Sequence, residues 1–212
     1  MAGNGSGRRH TREDVAETAL RILDDVGLPD LTMRRLAAAL DVQPSALYWH
    51  FPNKQTLLAE LADRIVMRGP ALQSAADAPW AERVRVEASA LRDSLLAYRD
   101  GAEVVASTYA LGLGEGRALQ RLTSAVRSGG FDDETADRAG TALLHFLLGH
   151  VSHEQQRIQY DSIGVLATGE APASPLDESD SAASFAFGVD LLVGGLELTR
   201  REAASEVSRS RT

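Results

Sequence analysis

The chain has 212 residues, 44% of them hydrophobic and 5% aromatic, with no cysteine and a net charge of −8. That length and apolar share suit one large domain, or a small one joined to a larger one, and lie outside the range of disordered chains; the missing thiols exclude disulfides and thiolate metal sites. The first twelve residues are rich in Gly, Ser and Arg and unlike a secretory leader, and no stretch reads as the ~18 apolar residues of a membrane span, so a cytoplasmic protein without a membrane partner is expected.

The negative charge is unevenly placed. Residues 1–68 hold nine Arg/Lys and nine Asp/Glu, whereas residues 69–212 hold thirteen and twenty-one. Arg8, Arg9 and Arg12 precede the first acid, Glu13. This is either a basic arm that touches phosphates or a solvated arm with no role.

Residues 1–10 read as a disordered arm. A first helix follows Thr11, with Val15, Ala19, Ile22, Leu23 and Val26 at helical spacing and Asp14 placed for a capping box. Gly27 and Pro29 end it. Thr32 caps a second helix with Leu36, Ala37 and Leu40 facing inward, and a break falls at 41–43. Pro44 or Ser45 opens a third helix reaching His50, stopped by Pro52-Asn53. A fourth helix starts near Lys54 and runs to Gly69-Pro70. Residues 71–79 read as a hinge. Helices are then expected from Trp80 to about Tyr98, then, after a break at Asp100-Gly101, a short one to about Leu111, and one from about Arg117 to Ser128, the last two separated by a turn at Gly112, Gly114 and Gly116. A long helix over about 132–159, a loop over 167–181 and a final helix over about 182–207 complete the chain. There is no strand pattern and no repeat, so the fold expected is all-α.

Two short helices joined by a tight turn hold few core residues and need the first and fourth helices as a platform. That is the geometry of a helix-turn-helix, whose second helix enters the major groove. Tyr48 and His50 end a helix too short to bury both rings, so they can meet phosphate, sugar or base edges. Lys54 opens a helix, where its ammonium and the free N–H groups can share one phosphate. Arg34, early on the second helix, can reach the backbone or a guanine. Trp49 fits either a packing residue at the edge of the module or a member of this DNA-facing set.

The run Leu31-Thr32 through Arg34, Leu36-Ala37, Val42, Leu47-Tyr48-Trp49-His50-Phe51 and Lys54 resembles the DNA-binding region of the TetR (tetracycline-repressor) family. The resemblance implies a homodimeric regulator, a repressor of transcription on a palindromic double-stranded operator that is released by a small-molecule effector. It places Gln43, Pro44, Ser45 and Ala46 on the edge that faces the bases. The organisation expected is an arm over 1–10, a helix-turn-helix DNA-binding domain over 11–58, a connecting helix and hinge over 59–79, and a ligand-binding and dimerisation domain over 80–212.

The resemblance continues at Tyr98-Arg99-Asp100-Gly101-Ala102, at His145-Phe146-Leu147-Leu148-Gly149 and at Phe187-Gly188-Val189 onward. It implies that the long helix and the last helix pack against their copies as a four-helix interface. Tetracycline-binding members hold a drug-bound divalent metal with a histidine after the Asp-Gly-Ala turn. The matching position here is Val105, the next threonine is kept as Thr108, and two drug-contacting positions fall on Glu87 and Leu91. The expected effector is therefore largely apolar and not a tetracycline–metal complex, with no cofactor and no metal. His150, His153 and Glu154 share one helical face and could hold a transition ion, but three neighbouring ligands without a fourth read more simply as a polar stripe lining the pocket or the interface. A metal-dependent enzyme built on those three residues, or a protein-binding adaptor, are the alternatives.

Overall fold

The computed structural model describes residues 10–69, 78–162 and 181–209. Most of the expected arm with Arg8 and Arg9, most of the 71–79 hinge and most of the 167–181 loop lie outside them. Among the described residues there are nine helices and no strand. They are α1 (Arg12–Val26), α2 (Met33–Ala39), α3 (Pro44–Leu47), α4 (Lys54–Arg68), α5 (Trp80–Leu96), α6 (Gly101–Ala110), α7 (Arg117–Arg127), α8 (Asp133–Ser162) and α9 (Ser181–Arg209).

Local chemistry sets the boundaries. Thr11 accepts from the Asp14 amide while Asp14 reaches back to the Thr11 amide, a complete capping box. Thr32 accepts from Arg35 N at 3.1 Å, and Asn53 accepts from Thr56 N at 2.8 Å. Gly27 ends α1 at φ +83°, where a Cβ would also stand 2.7 Å from Asp100 Oδ2, so two independent constraints demand glycine there. α3 is shorter than expected, four residues. The chain stays turned beyond it because the amides of His50 and Phe51 both return to Leu47 O at 2.9 Å.

Leu20, Leu23, Leu31, Leu36, Leu47, Phe51, Leu57 and Leu61 are almost fully buried and join α1–α4 into one small core. α4 then runs on to the remaining helices. Its end at Gly69 lies so near α5 that an added Cβ would sit 1.6 Å from Ser94 Oγ and 3.2 Å from the Ala90 carbonyl. A second joint lies at the α5–α6 corner, where Asp100 adopts φ +56°. Its carboxylate accepts from Leu28 N at 2.7 Å and from Gln159 Nε2 at 2.6 Å. Buried Gln155 of α8 braces the corner, donating to Leu95 O and Tyr98 O at 2.9 and 2.7 Å and accepting from Ala102 N at 3.2 Å. The first four helices are thus tied to α5, α6 and α8 by backbone contact and by a chain of polar bonds.

α9 corrects one expectation. Ser181–Glu202 has a mean hydropathy of 1.4 over its most apolar window, long and apolar enough by composition to cross a bilayer. Only 17% of that window is buried within the chain, and one face of it packs on the other helices. Phe185, Val189 and Val193 are buried, and Asp190 pairs with Arg85 of α5 at 2.6 Å. The sequence reading missed the stretch because glycine, alanine and serine separate its large apolar residues.

Candidate DNA-binding and effector sites

The α2–α3 turn passes through Asp41 at φ +53°, with Val42 N bonded to Ala37 O at 3.0 Å. Gln43 then caps α3, and Pro44 occupies its first turn, where the missing N–H is no loss. This presents Arg34, Gln43, Ser45, Ala46, Tyr48 and Trp49 as exposed side chains and leaves Pro44, His50 and Lys54 half-buried. Tyr48 is 49% exposed and Trp49 91%. The packing alternative for Trp49 is therefore wrong, because the ring touches almost nothing in its own chain. Leu36, Leu40, Leu47 and Phe51 form the core beneath α2 and α3.

Arg12 and Lys54 do more than the sequence suggested. The Arg12 guanidinium lies 4.1 Å from the centroid of the Phe51 ring and donates to His50 O at 2.7 Å and to Glu60 Oε2 at 2.9 Å. It holds the turn that follows α3 and is not part of a loose arm. Lys54 Nζ donates to Leu28 O at 3.2 Å, so the ammonium is held in place by the protein.

Arg12 belongs to a wider α1–α4 network. Arg64 binds Glu13 at 2.6 Å, Glu17 at 3.0 Å and Glu60 at 2.8 Å, and Arg68 binds Glu17 and Tyr98 Oη. The hydrogen bond from Arg64 holds the Glu13 carboxyl below its ordinary 4.5, and the one from Arg68 does the same for Glu17. A carboxyl whose folded pKa lies below its unfolded one stabilises the fold above the unfolded value, and that contribution is lost as pH falls through the folded value. The melting temperature is expected to hold steady from neutral pH toward 5 and to drop below about 4.5. In an Arg64→Met variant the acid-induced drop is expected to shrink, which a series of thermal melts against pH measures.

At the other end, Val105 and Thr108 of α6 are buried and face a small cavity with Ala62, Asp63 and Val66 of α4 and Leu144 of α8. Its volume is about 20 Å³, room for a single water. The Thr108 hydroxyl is spent on the Val104 and Val105 carbonyls at 3.1 and 3.0 Å. Burial pushes the Asp63 carboxyl up, and it accepts from Glu115 N at 3.1 Å.

The other expected effector positions do not line this cavity. Leu91 is fully buried, and Glu87 is paired with Arg121 at 2.8 Å. His150 Nε2 lies 3.1 Å from Ser181 O, its ring against both of the mutually stacked Phe146 and Phe185 rings, and His153 is half-buried on the same helix. Glu154 is engaged by Arg92 at 2.5 Å. Among the described residues no group of three His, Cys, Asp or Glu side chains is arranged to hold a metal. The ion reading of His150, His153 and Glu154 fails because Glu154 is spent on Arg92. A larger polar hollow of about 420 Å³, lined by Asp30, Arg99, Glu103, Gln156 and Tyr160 among others, opens at the joint with α1. It contains none of the six positions expected to meet the effector.

Comparison with known proteins places most of the chain in one family. Residues 15–61 match the family profile described as "Bacterial regulatory proteins, tetR family", and residues 74–200 match "Tetracyclin repressor-like, C-terminal domain". The chain is 33% identical over 201 residues to the tetracycline repressor protein class C of Escherichia coli, covering 89% of this chain and 91% of that one. The fold superposes on Mycobacterium smegmatis BioQ with a TM-score of 0.77 at 41% identity, covering 88% and 97% of the two chains. It also matches BioQ solved with its double-stranded DNA operator, with a TM-score of 0.71 at 39% identity, covering 88% and 98%. Helix order, the helix-turn-helix and the similarity over nearly the whole length agree: the chain belongs to the tetR family of bacterial regulatory proteins, a family of DNA-binding regulators and not of enzymes.

Proposed function

We propose that the chain is a homodimeric repressor that holds a palindromic operator and releases it when a small molecule enters the C-terminal helices. Residues 11–58 form the DNA-binding domain, 59–79 the connection and 80–212 the effector and dimerisation domain. The observation that carries this reading is the pair of exposed aromatics, Tyr48 and Trp49, held on a rigid core beside Gln43, Ser45 and Ala46. Gel shift with the chain's own upstream DNA tests it. The expected result is a specific complex at nanomolar protein whose affinity falls steeply with salt. A complex that is absent, or indifferent to sequence, rules the reading out.

Two heads must span two half-sites, so the dimer is part of the mechanism. On α9, Phe187, Leu191 and Leu198 are each about 60% or more exposed, with Gly194 and Gly195 on the same stripe. On α8, Ala142, His145 and Gly149 form a parallel stripe, also exposed. Such surfaces in a chain this size fit a two-fold helix interface with a second copy. Replacing Phe187 and Leu191 together by aspartate is expected to turn the sedimenting species into a monomer. Operator affinity should fall with it by roughly a hundredfold, because a lone head loses half its contacts. A variant that sediments as a dimer places the interface elsewhere.

A further inference from the structure

Arg12 is the first residue of α1, where the positive end of the helix dipole disfavours a cation, so helix stability does not account for it. Its guanidinium is placed by two other parts of the module. On one side Nη1 donates to His50 O at 2.7 Å, and the planar group lies over the Phe51 ring, 4.1 Å from its centroid. On the other, Nε and Nη2 both donate to Glu60 Oε2 of α4, at 3.2 and 2.9 Å. Glu60 is itself fixed, because its Oε1 accepts from Arg64 Nε at 2.8 Å.

Between the buried side chains of Leu47 and Phe51 stand Tyr48, Trp49 and His50. Their own side chains do little to hold them, since the first two are exposed and the third is half-buried. The course of this short segment is set from its ends. The Leu47 carbonyl takes the His50 and Phe51 amides, and Arg12 takes the His50 carbonyl. Recognition of a duplex needs its side chains held to within about 0.5 Å, which is the work of supporting groups that do not touch the ligand. Arg12 meets both the carbonyl and the ring at the end of the segment.

We propose that Arg12, held by Glu60, is a positioning residue for operator recognition: it fixes the Tyr48-Trp49-His50 segment through the His50 carbonyl and the Phe51 ring and does not itself meet a phosphate. This rests on the DNA-binding reading above. Three of its five N–H groups are spent inside the chain, so a bidentate grip on a phosphate would cost it the Glu60 pair. The two roles give opposite signs. If Arg12 neutralised a phosphate, Glu60 would compete with DNA for it, and removing that carboxylate would tighten binding. If Arg12 positions the segment, Glu60 serves the operator, and removing it loosens specific binding. Lysine also separates the roles, because it keeps the charge but has neither the planar face nor the fork.

The test measures affinity for the chain's own upstream DNA and for a scrambled duplex by fluorescence anisotropy, at a temperature where circular dichroism shows each variant folded. Arg12→Gln and Arg12→Lys are each expected to weaken operator binding by roughly tenfold, the order lost with a charge-assisted hydrogen bond. Both should leave the slope of log affinity against log salt unchanged. Glu60→Gln should lower the ratio of operator to scrambled affinity. Glu13 pairs with Arg64 and not with Arg12, so Glu13→Gln removes the same charge from the same network and should leave that ratio alone. A slope smaller by about one in Arg12→Gln, with Arg12→Lys at wild-type affinity, makes Arg12 a phosphate contact and overturns the proposal. So does a folded Arg12→Gln protein that binds within about twofold of wild type, or a Glu60→Gln ratio equal to that of Glu13→Gln. Should Arg12→Gln fail to fold, the two glutamate variants decide alone. If the wild-type chain does not prefer its upstream DNA to the scrambled duplex, it is the proposed function that fails.

Discussion

Phe51→Ala is expected to destabilise the chain by about 3–5 kcal/mol, the usual cost of emptying a large buried aromatic site. The ring is fully buried, and the Arg12 guanidinium lies over it. Leu36, Leu47 and Leu57 belong to the same core. α2 and α3 are too short to persist without that core, so the melting temperature should move down by roughly ten degrees for a chain of this size. Operator binding should disappear at the same temperature. A shift worth less than about 1 kcal/mol would mean that the site collapses around the missing ring, and that Phe51 is not what seats the DNA-facing turn.

The opposite signature is expected from Tyr48→Ala combined with Trp49→Ala. Exposures of 49% and 91% leave these rings few contacts to lose, so the melting temperature should hardly change. Affinity for the operator should fall by about 2–4 kcal/mol, roughly 30- to 1000-fold, if each ring stacks on or edges against DNA. The pairing of an unmoved melt with lost binding separates the surface from the scaffold. Binding retained within about threefold in both salt and sequence dependence would remove these rings from the interface.

The sequence yielded the helices and their ends because those are local events. Thr11 with Asp14, Thr32, Gly27 and Asp100-Gly101 act within one turn of chain, and each stands where its spacing put it. The polar contacts were not legible. Arg12 meets Glu60 across 48 residues and Arg121 meets Glu87 across 34, and no periodicity predicts such a partner. A hint was present in α4, where Glu60, Arg64 and Arg68 repeat every four residues and so form one charged face. Trp49 misled because a large aromatic is usually a core residue, whereas here the ring is 91% exposed. The effector positions were carried by resemblance. Val105 and Thr108 share a wall, but His150 lies toward Phe146, Phe185 and Ser181, because α8 is long enough to serve two different surroundings.

Gly69 has a mechanical consequence. A side chain wedged between two helices can swallow a small displacement by changing rotamer. At Gly69 there is no side chain, and main chain rests on Ser94 and the Ala90 carbonyl. A shift of α5 by a fraction of an ångström therefore reaches the end of α4 without backlash. α4 is a rod of 15 residues, about 22 Å long, that carries the motion to Lys54. Even a bulk as slight as a methyl group at position 69 would collide with Ser94, so it would wedge the end of α4 away from α5 and break that linkage.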